Sequence, residues 1–95
     1  MTLEVKQRKN LKARAHILKP VVRIGEKGLT ENVMAEIVIA LEQHELIKIK
    51  IAGSDKDERK EISEEICQTL ACDIVQSVGS VLVLYRKSIK QKKLK

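Results

Sequence analysis

A pair of glycines separated by two residues, with basic side chains around it, is the stretch of this sequence best suited to chemistry. Gly25 and Gly28 enclose Glu26 and Lys27. Each glycine is expected to adopt a positive φ, which turns the backbone tightly and lets another molecule approach it. Thr30 follows as the predicted N-cap of a helix. The free N–H groups of a helix N-terminus at this place would suit a phosphate.

The motif alone has low specificity, because Gly-x-x-Gly also occurs in ordinary tight turns. It is not a P-loop, since no Gly-Lys-Ser/Thr follows, and a dinucleotide fingerprint would need a third glycine. Three nearby cations, Lys19, Arg23 and Lys27, favour an anion-binding interpretation. Glu26 argues against it, because a carboxylate in the loop repels a phosphate unless it faces aside.

The net charge of +6 is unevenly distributed along the 95 residues. Residues 1–23 carry seven Lys or Arg and one Glu, and residues 86–95 carry six bases and no acid. The segment 24–85 has six bases against twelve acids. Two basic ends on an acidic body predict a localised surface for a polyanion. The alternative is that the lysines only keep a small protein in solution.

Aromatic residues are nearly absent, since Tyr85 stands alone without any Phe or Trp. Domains that read splayed single-stranded bases generally use aromatic stacking platforms. If the chain binds nucleic acid, we therefore expect contacts to phosphates, sugars and overall shape.

Other function classes are disfavoured. Cys67 and Cys72 lie outside any Cys-x-x-Cys motif and have no nearby His, so we interpret them as reduced, packed side chains. No nucleophile has a neighbouring base, which predicts that the chain is not an enzyme. His16 is interpreted as a hydrogen-bonded histidine at a helix end. We expect no metal, no cofactor and no small-molecule substrate. No apolar run is long enough to span a bilayer and the N-terminus does not resemble a signal peptide, so we expect a cytoplasmic protein without membrane contacts. We also expect a monomer.

Hydrophobic periodicity predicts the element order α-β-α-β-α-β-β in one α/β domain. Helices are predicted over residues 3–18 and 31–44 and after a turn at 52–55, where Ser54 and Asp57 resemble a capping box. Strands are predicted over 21–24, 46–51, 73–78 and 81–86, the last two joined as a hairpin. We expect one four-stranded mixed sheet with the helices packed on one face. Lys48 and Lys50 would then lie on the uncovered face.

Several motifs in this order resemble those of the CRM domain, named for chloroplast RNA splicing and ribosome maturation, whose stand-alone form is called YhbY-like. The resemblance spans about residues 3–86 and leaves 87–95 as an expected flexible basic tail. The matching segments are Leu11, Ala15-His16, Leu18-Lys19-Pro20-Val21-Val22, Ile24-Gly25, Gly28-Leu29-Thr30, Glu45-Leu46-Ile47-Lys48, Val75-Gln76, Gly79 and Val83-Leu84-Tyr85-Arg86.

The resemblance implies a fold similar to the C-terminal domain of translation initiation factor three and a role in RNA binding. Bacterial members of this family are associated with precursors of the large ribosomal subunit, and the Gly-x-x-Gly loop is the implied RNA contact, as in KH domains. The loop and the surrounding charges together define the candidate RNA-contact residues. They are Gly25, Glu26, Lys27, Gly28, Lys19, Arg23, Lys12, Arg14, Lys48, Lys50 and Arg86.

Two features depart from the family pattern. Glu26 occupies a loop position that is often non-acidic, and Leu70-Ala71 stands where a Thr-Gly usually ends the third helix. A second hypothesis, from a different class, is a protein-interaction adaptor that docks a basic partner on the acidic third helix. That helix carries Glu61, Glu64 and Glu65.

Overall fold

The computed structural model describes residues 3–53 and 55–87. Within them the chain forms α1 (Val5–Ala15), β1 (Val22–Ile24), α2 (Glu31–His44), β2 (Leu46–Ile51), α3 (Lys56–Leu70), β3 (Asp73–Val78) and β4 (Val81–Tyr85). The predicted order of elements is confirmed. Ser54 and the tail residues 88–95 lie outside the described residues, so the expected flexibility of the tail stays a prediction.

The strands form one four-stranded sheet in the order β1-β2-β4-β3. β1 runs parallel to β2, whereas β4 is antiparallel to both β2 and β3, so the sheet is mixed as predicted. Side chains alternate along β2. Ile47, Ile49 and Ile51 point to one face, and Leu46, Lys48 and Lys50 to the other.

Helices cover both faces of the sheet, and the expectation that they pack on one face was wrong. On the first face, Ile37 and Leu41 of α2 and Ile66 of α3 are buried against Ile47 and Ile49. The second face carries a smaller core, in which α1 packs on the sheet. Its buried members are Leu3, Leu11, Ala15, Leu46, Val75 and Val83.

An irregularity in β3 helps to explain this second core. The register between β3 and β4 shifts between Ile74 and Gln76, which is a β-bulge. The extra residue, Val75, is buried in the core beneath α1, and a bulge re-aims side chains in this way. Arg8 of α1 then donates hydrogen bonds to the carbonyl oxygens of Ile74, at 2.5 Å, and Val75, at 3.1 Å. Arg8 thereby anchors the helix on the bulge.

The observed ends of α1 and α3 differ from the predicted ones. α1 is shorter than the predicted 3–18, because Glu4 is extended and the Leu18 N–H bonds to the Ala15 carbonyl at 3.0 Å, a tight turn that ends the helix. The capping box of α3 lies one residue later than predicted. Asp55 Oδ1 accepts from the Glu58 N–H at 2.8 Å, and Glu58 Oε1 accepts from the Asp55 N–H at 3.1 Å.

The C-cap of α3 is Ala71, which adopts the left-handed conformation with φ 54° and ψ 48°. Glycine is the residue that usually takes this position. The Arg86 guanidinium also bonds to the Leu70 carbonyl oxygen at 2.8 Å, which satisfies an acceptor at the helix end. The missing glycine is therefore accommodated by a left-handed alanine and an arginine contact.

Candidate nucleic-acid interface

The Gly25–Gly28 loop is a tight turn directly after β1. The Gly28 N–H donates to the Gly25 carbonyl oxygen at 3.0 Å. Gly28 has a φ of 74°, whereas Gly25 is not among the residues with positive φ, so the expectation of two left-handed glycines was wrong for Gly25. Thr30 is confirmed as the N-cap of α2, because its Oγ1 accepts from the Val33 N–H at 3.2 Å.

Three loops meet at the end of the sheet where this glycine turn lies. The Ala52 N–H donates to the Ile24 carbonyl oxygen at 2.8 Å, and the Ile51 N–H donates to the Ser80 carbonyl oxygen at 2.7 Å. The N-termini of α2 and α3 are therefore both at this end, each with backbone N–H groups of its first turn. Carboxylates already occupy the first turns of both helices, namely Glu31 in α2 and Asp57 and Glu58 in α3, so the cations around the glycine loop rather than the helix dipoles favour an anion here.

Glu26 lies beside the turn that follows β2. A Cβ built on Gly53 would be 3.3 Å from Glu26 Cγ, so the Glu26 side chain leans over Gly53. Lys27 and Gly25 are exposed. The stem of Glu26 thus lies against the β2–α3 connection, while Glu26 itself is exposed.

α1 covers only part of its sheet face and leaves the part nearest the glycine loop open. Arg23 and Lys50 are directly opposite each other in the ladder between β1 and β2. Lys50 is in turn opposite Val81, and Val81 is opposite Val78, which is 59% exposed. Lys48 and Lys50 are half-buried, so their stems lie along the sheet.

Lys48 connects this open part of the sheet to α1. It lines one groove together with Lys12 and His16, and a second groove together with Arg14 and Lys19. Cations from α1, from the connection to β1, and from both parallel strands therefore lie on one side of the molecule. We use the name basic surface for these cations together with exposed Lys27 of the adjoining Gly25–Gly28 loop. Its members are Lys12, Arg14, Lys19, Arg23, Lys27, Lys48 and Lys50.

Arg86 does not join the basic surface. Its guanidinium donates to Leu70 and lies 3.9 Å from Glu42 Oε2, and its backbone N–H donates to the Glu45 carbonyl oxygen at 2.9 Å. These contacts are at the end of the sheet opposite the glycine loop. Arg86 therefore connects the ends of α2, α3 and β4 and is not part of the proposed RNA interface.

Sequence reasoning missed the second groove, which contains Ile17, Val21 and His44 besides Arg14 and Lys48. The sequence carried a signal for this groove in the α1–β1 connection, where the apolar residues Ile17 and Val21 lie on either side of Lys19 and Pro20. Ile17 is 84% exposed and Val21 is 52% exposed, although both are β-branched and apolar.

The two cysteines are free thiols in contact with each other. Cys72 Sγ donates to Cys67 Sγ at 3.7 Å. This hydrogen bond lowers the pKa of Cys67, and the same bond together with burial raises the pKa of Cys72. Over residues 3–53 and 55–87, no group of His, Cys, Asp and Glu is arranged to hold a metal ion.

Two further observations bear on the hypotheses. Glu61, Glu64 and Glu65 are exposed on α3, so the acidic helix is accessible to a partner. None of the helices in the described part of the chain is long and apolar enough to cross a membrane.

Comparison with known proteins assigns the family. The model of the CRS1 / YhbY (CRM) domain matches residues 3–86, and the chain belongs to this family. A Pseudomonas aeruginosa protein named as a probable RNA-binding protein is 44% identical over 93 residues, which cover 98% of this chain and 89% of the relative. A Haemophilus influenzae protein named as an RNA-binding protein is 49% identical over 87 residues, covering 92% and 88%.

A solved structure agrees with the fold. The solution structure of a Staphylococcus aureus protein, described as a candidate RNA-binding protein, superposes with a TM-score of 0.82 at 35% sequence identity. The match covers 97% of this chain and 96% of the other. The predicted family and the single α/β domain with a four-stranded mixed sheet are thus confirmed.

Proposed function

We propose that this protein binds structured RNA through the basic surface and the Gly25–Gly28 loop. The observation that carries the proposal is the position of Lys48, which brings the cations of α1 next to those of β1 and β2. Relatives named as RNA-binding proteins support the same ligand class.

The chemistry of each part suits a phosphate backbone. Lysine and arginine neutralise phosphates, and this term supplies most of the affinity for nucleic acids in general. The loop is exposed at Gly25, whereas Gly28 is half-buried and its N–H bonds to the Gly25 carbonyl oxygen, so a phosphate can approach the backbone at Gly25 without meeting a side chain there. Such contacts fix orientation and shape rather than read base sequence.

We further propose that the target lies in the precursor of the large ribosomal subunit. This step depends on the resemblance to bacterial CRM proteins and not on a contact in this molecule. We also propose that the protein acts in the cytoplasm. A competing function is a protein adaptor that uses exposed Glu61, Glu64 and Glu65 of α3.

Co-sedimentation with ribosomal particles tests these alternatives. The protein should follow large-subunit precursors through a sucrose gradient and should be released by nuclease. Lys48→Gln with Lys50→Gln should weaken this association. The matched control is Lys56→Gln with Lys60→Gln, which removes the same charge from exposed lysines of α3.

The outcomes separate the hypotheses. The RNA-binding proposal would be supported if nuclease releases the protein and if the Lys48/Lys50 variant, but not the Lys56/Lys60 variant, loses its association with ribosomal particles. Sedimentation that resists nuclease and is lost when Glu61, Glu64 and Glu65 become Gln would support the adaptor instead. RNA binding in vitro without any association with ribosomal particles would refute only the ribosomal target.

A further inference from the structure

A groove lies where the α1–β1 connection passes the first half of β2. β1 begins opposite Ile49, so Leu46 and Ile47 have no β1 residue in register beside them. The space left there is a groove of about 530 Å³. This volume falls within the range of about 300–1,000 Å³ that is typical of sites for small organic ligands.

The groove combines an apolar interior with a cationic rim. Leu46 and Ile47 are buried beneath it, and Ile17 and Val21 expose large apolar side chains at its edge. The cations of the rim are Arg14, Lys19 and Lys48, and no carboxylate lines the groove in the described part of the chain. A ligand that fits must therefore have a flat or apolar body and negative charge close to it.

Two lining residues can stack on a flat ring. Unpaired bases stack on histidine rings and on arginine guanidinium planes as well as on Phe, Tyr and Trp. Arg14 and His44 both line the groove. The lack of Phe and Trp, which argued against base contacts in the sequence, therefore does not exclude one base at this position.

We infer that the groove takes one unpaired nucleotide of the bound RNA, with its base among Ile17, Val21 and Arg14 and its phosphates on Lys19 and Lys48. The inference rests on the proposed RNA binding and adds a specific feature of the target, namely a bulged or flipped nucleotide next to a helix. An acidic amphipathic peptide would match the same charges. RNA is favoured because Lys48 lines both this groove and the neighbouring groove with Lys12, which makes the groove continuous with the basic surface.

Three RNA hairpins test the inference with the full-length protein in fluorescence anisotropy at constant salt. One hairpin is fully paired, one carries a single bulged nucleotide, and one carries an abasic bulge that keeps the sugar and phosphate. The bulged hairpin should bind about five- to a hundredfold more tightly than the abasic one, which is the range expected for stacking of one base.

Variants locate the effect in the groove. Ile17→Ser should remove the preference for the base, and Val5→Ser is the matched control, since these side chains are 84% and 85% exposed and both are apolar and β-branched. Arg14→Lys keeps the charge but removes the planar guanidinium. It should lower affinity for the bulged hairpin more than it lowers affinity for the paired hairpin, so that the ratio between the two falls.

Each other result counts against the inference in a recognisable way. Equal affinity for the three hairpins would overturn it and leave the proposed RNA binding intact, whereas failure to bind any hairpin would overturn both. Amide NMR shifts at Ile17 and Val21 on adding an acidic amphipathic peptide, but not on adding the bulged hairpin, would assign the groove to a protein partner. An effect of Val5→Ser equal to that of Ile17→Ser would also refute the assignment.

Discussion

Alanine at the two loop glycines separates RNA contact from backbone conformation, because the two positions differ. Gly28 has a φ of 74°, and left-handed backbone costs a non-glycine residue about 1–2 kcal/mol. For a domain of this size, each kcal/mol lowers Tm by about 4–8 °C, so Gly28→Ala should lower it by about 4–16 °C. Gly25 lacks a positive φ, and a Cβ there meets no atom within 4 Å. Gly25→Ala should therefore leave Tm unchanged.

The effect on RNA binding should not follow the effect on stability. A methyl group on Gly25 would hold a phosphate away from the exposed loop backbone. A hydrogen bond to a charged group contributes about 1.5–3 kcal/mol, so its loss should weaken binding by about ten- to a hundredfold. Gly25→Ala should show this loss without destabilisation, whereas Gly28→Ala should show both effects.

Thermal unfolding by circular dichroism and anisotropy with the hairpins described above measure the two quantities. Ile66→Val is the stability control, because Ile66 is fully buried on the sheet face that α2 and α3 cover, away from the basic surface. It should cost about 0.5–1.5 kcal/mol of stability, lower Tm accordingly and leave affinity unchanged. Wild-type affinity for Gly25→Ala would refute a close approach of RNA to the loop. A large drop in its Tm would refute the loop conformation itself.

Four other predictions concern charge, the helix end, the tail and the cysteines. The logarithm of the RNA association constant should fall with the logarithm of the salt concentration, with a slope of magnitude at most about 5–6 for seven cations. In Lys48→Gln this magnitude should decrease by about 0.7–0.9. An unchanged slope would show that Lys48 is not in the interface. Ala71→Gly should raise stability by about 1 kcal/mol in denaturant unfolding, because it relieves the left-handed alanine, and a loss would contradict the strain. Deletion of 88–95 should lower affinity for paired and bulged hairpins alike, and a selective loss would place the tail in target recognition. Iodoacetamide should alkylate Cys67 before Cys72, because a hydrogen bond from Cys72 lowers the pKa of Cys67. The reaction of Cys67 should therefore start below the pH at which a free thiol usually reacts. Equal alkylation rates of the two cysteines would contradict this prediction.

Much of the local structure was determined by the sequence alone. The 3.6-residue period of α2 and the two-residue period of β2 set their type, and their observed bounds, Glu31–His44 and Leu46–Ile51, equal the predicted ones. Thr30 could be predicted as an N-cap because capping depends on a side chain and an N–H three residues away. These features follow from interactions between residues that are close along the chain.

Tertiary structure decided where α1 lies and what it leaves open. The alternation of Ile and Lys in β2 predicted an uncovered face, but Leu46 and the bulged Val75 provide an apolar site for Leu11 and Ala15 on part of it. A bulge depends on the pairing of two strands, and its position could not be predicted from either strand alone.

The same limit applies to the candidate interface. The cations were recognisable from the sequence, but Arg86, which looked equivalent to them, bonds to the end of α3, whereas Lys48 came to join α1 with the strands. The groove beside Leu46 exists because β1 starts only opposite Ile49. Composition and periodicity describe each element separately, while the neighbours of a charged or apolar side chain depend on the packing of elements that are distant in the sequence.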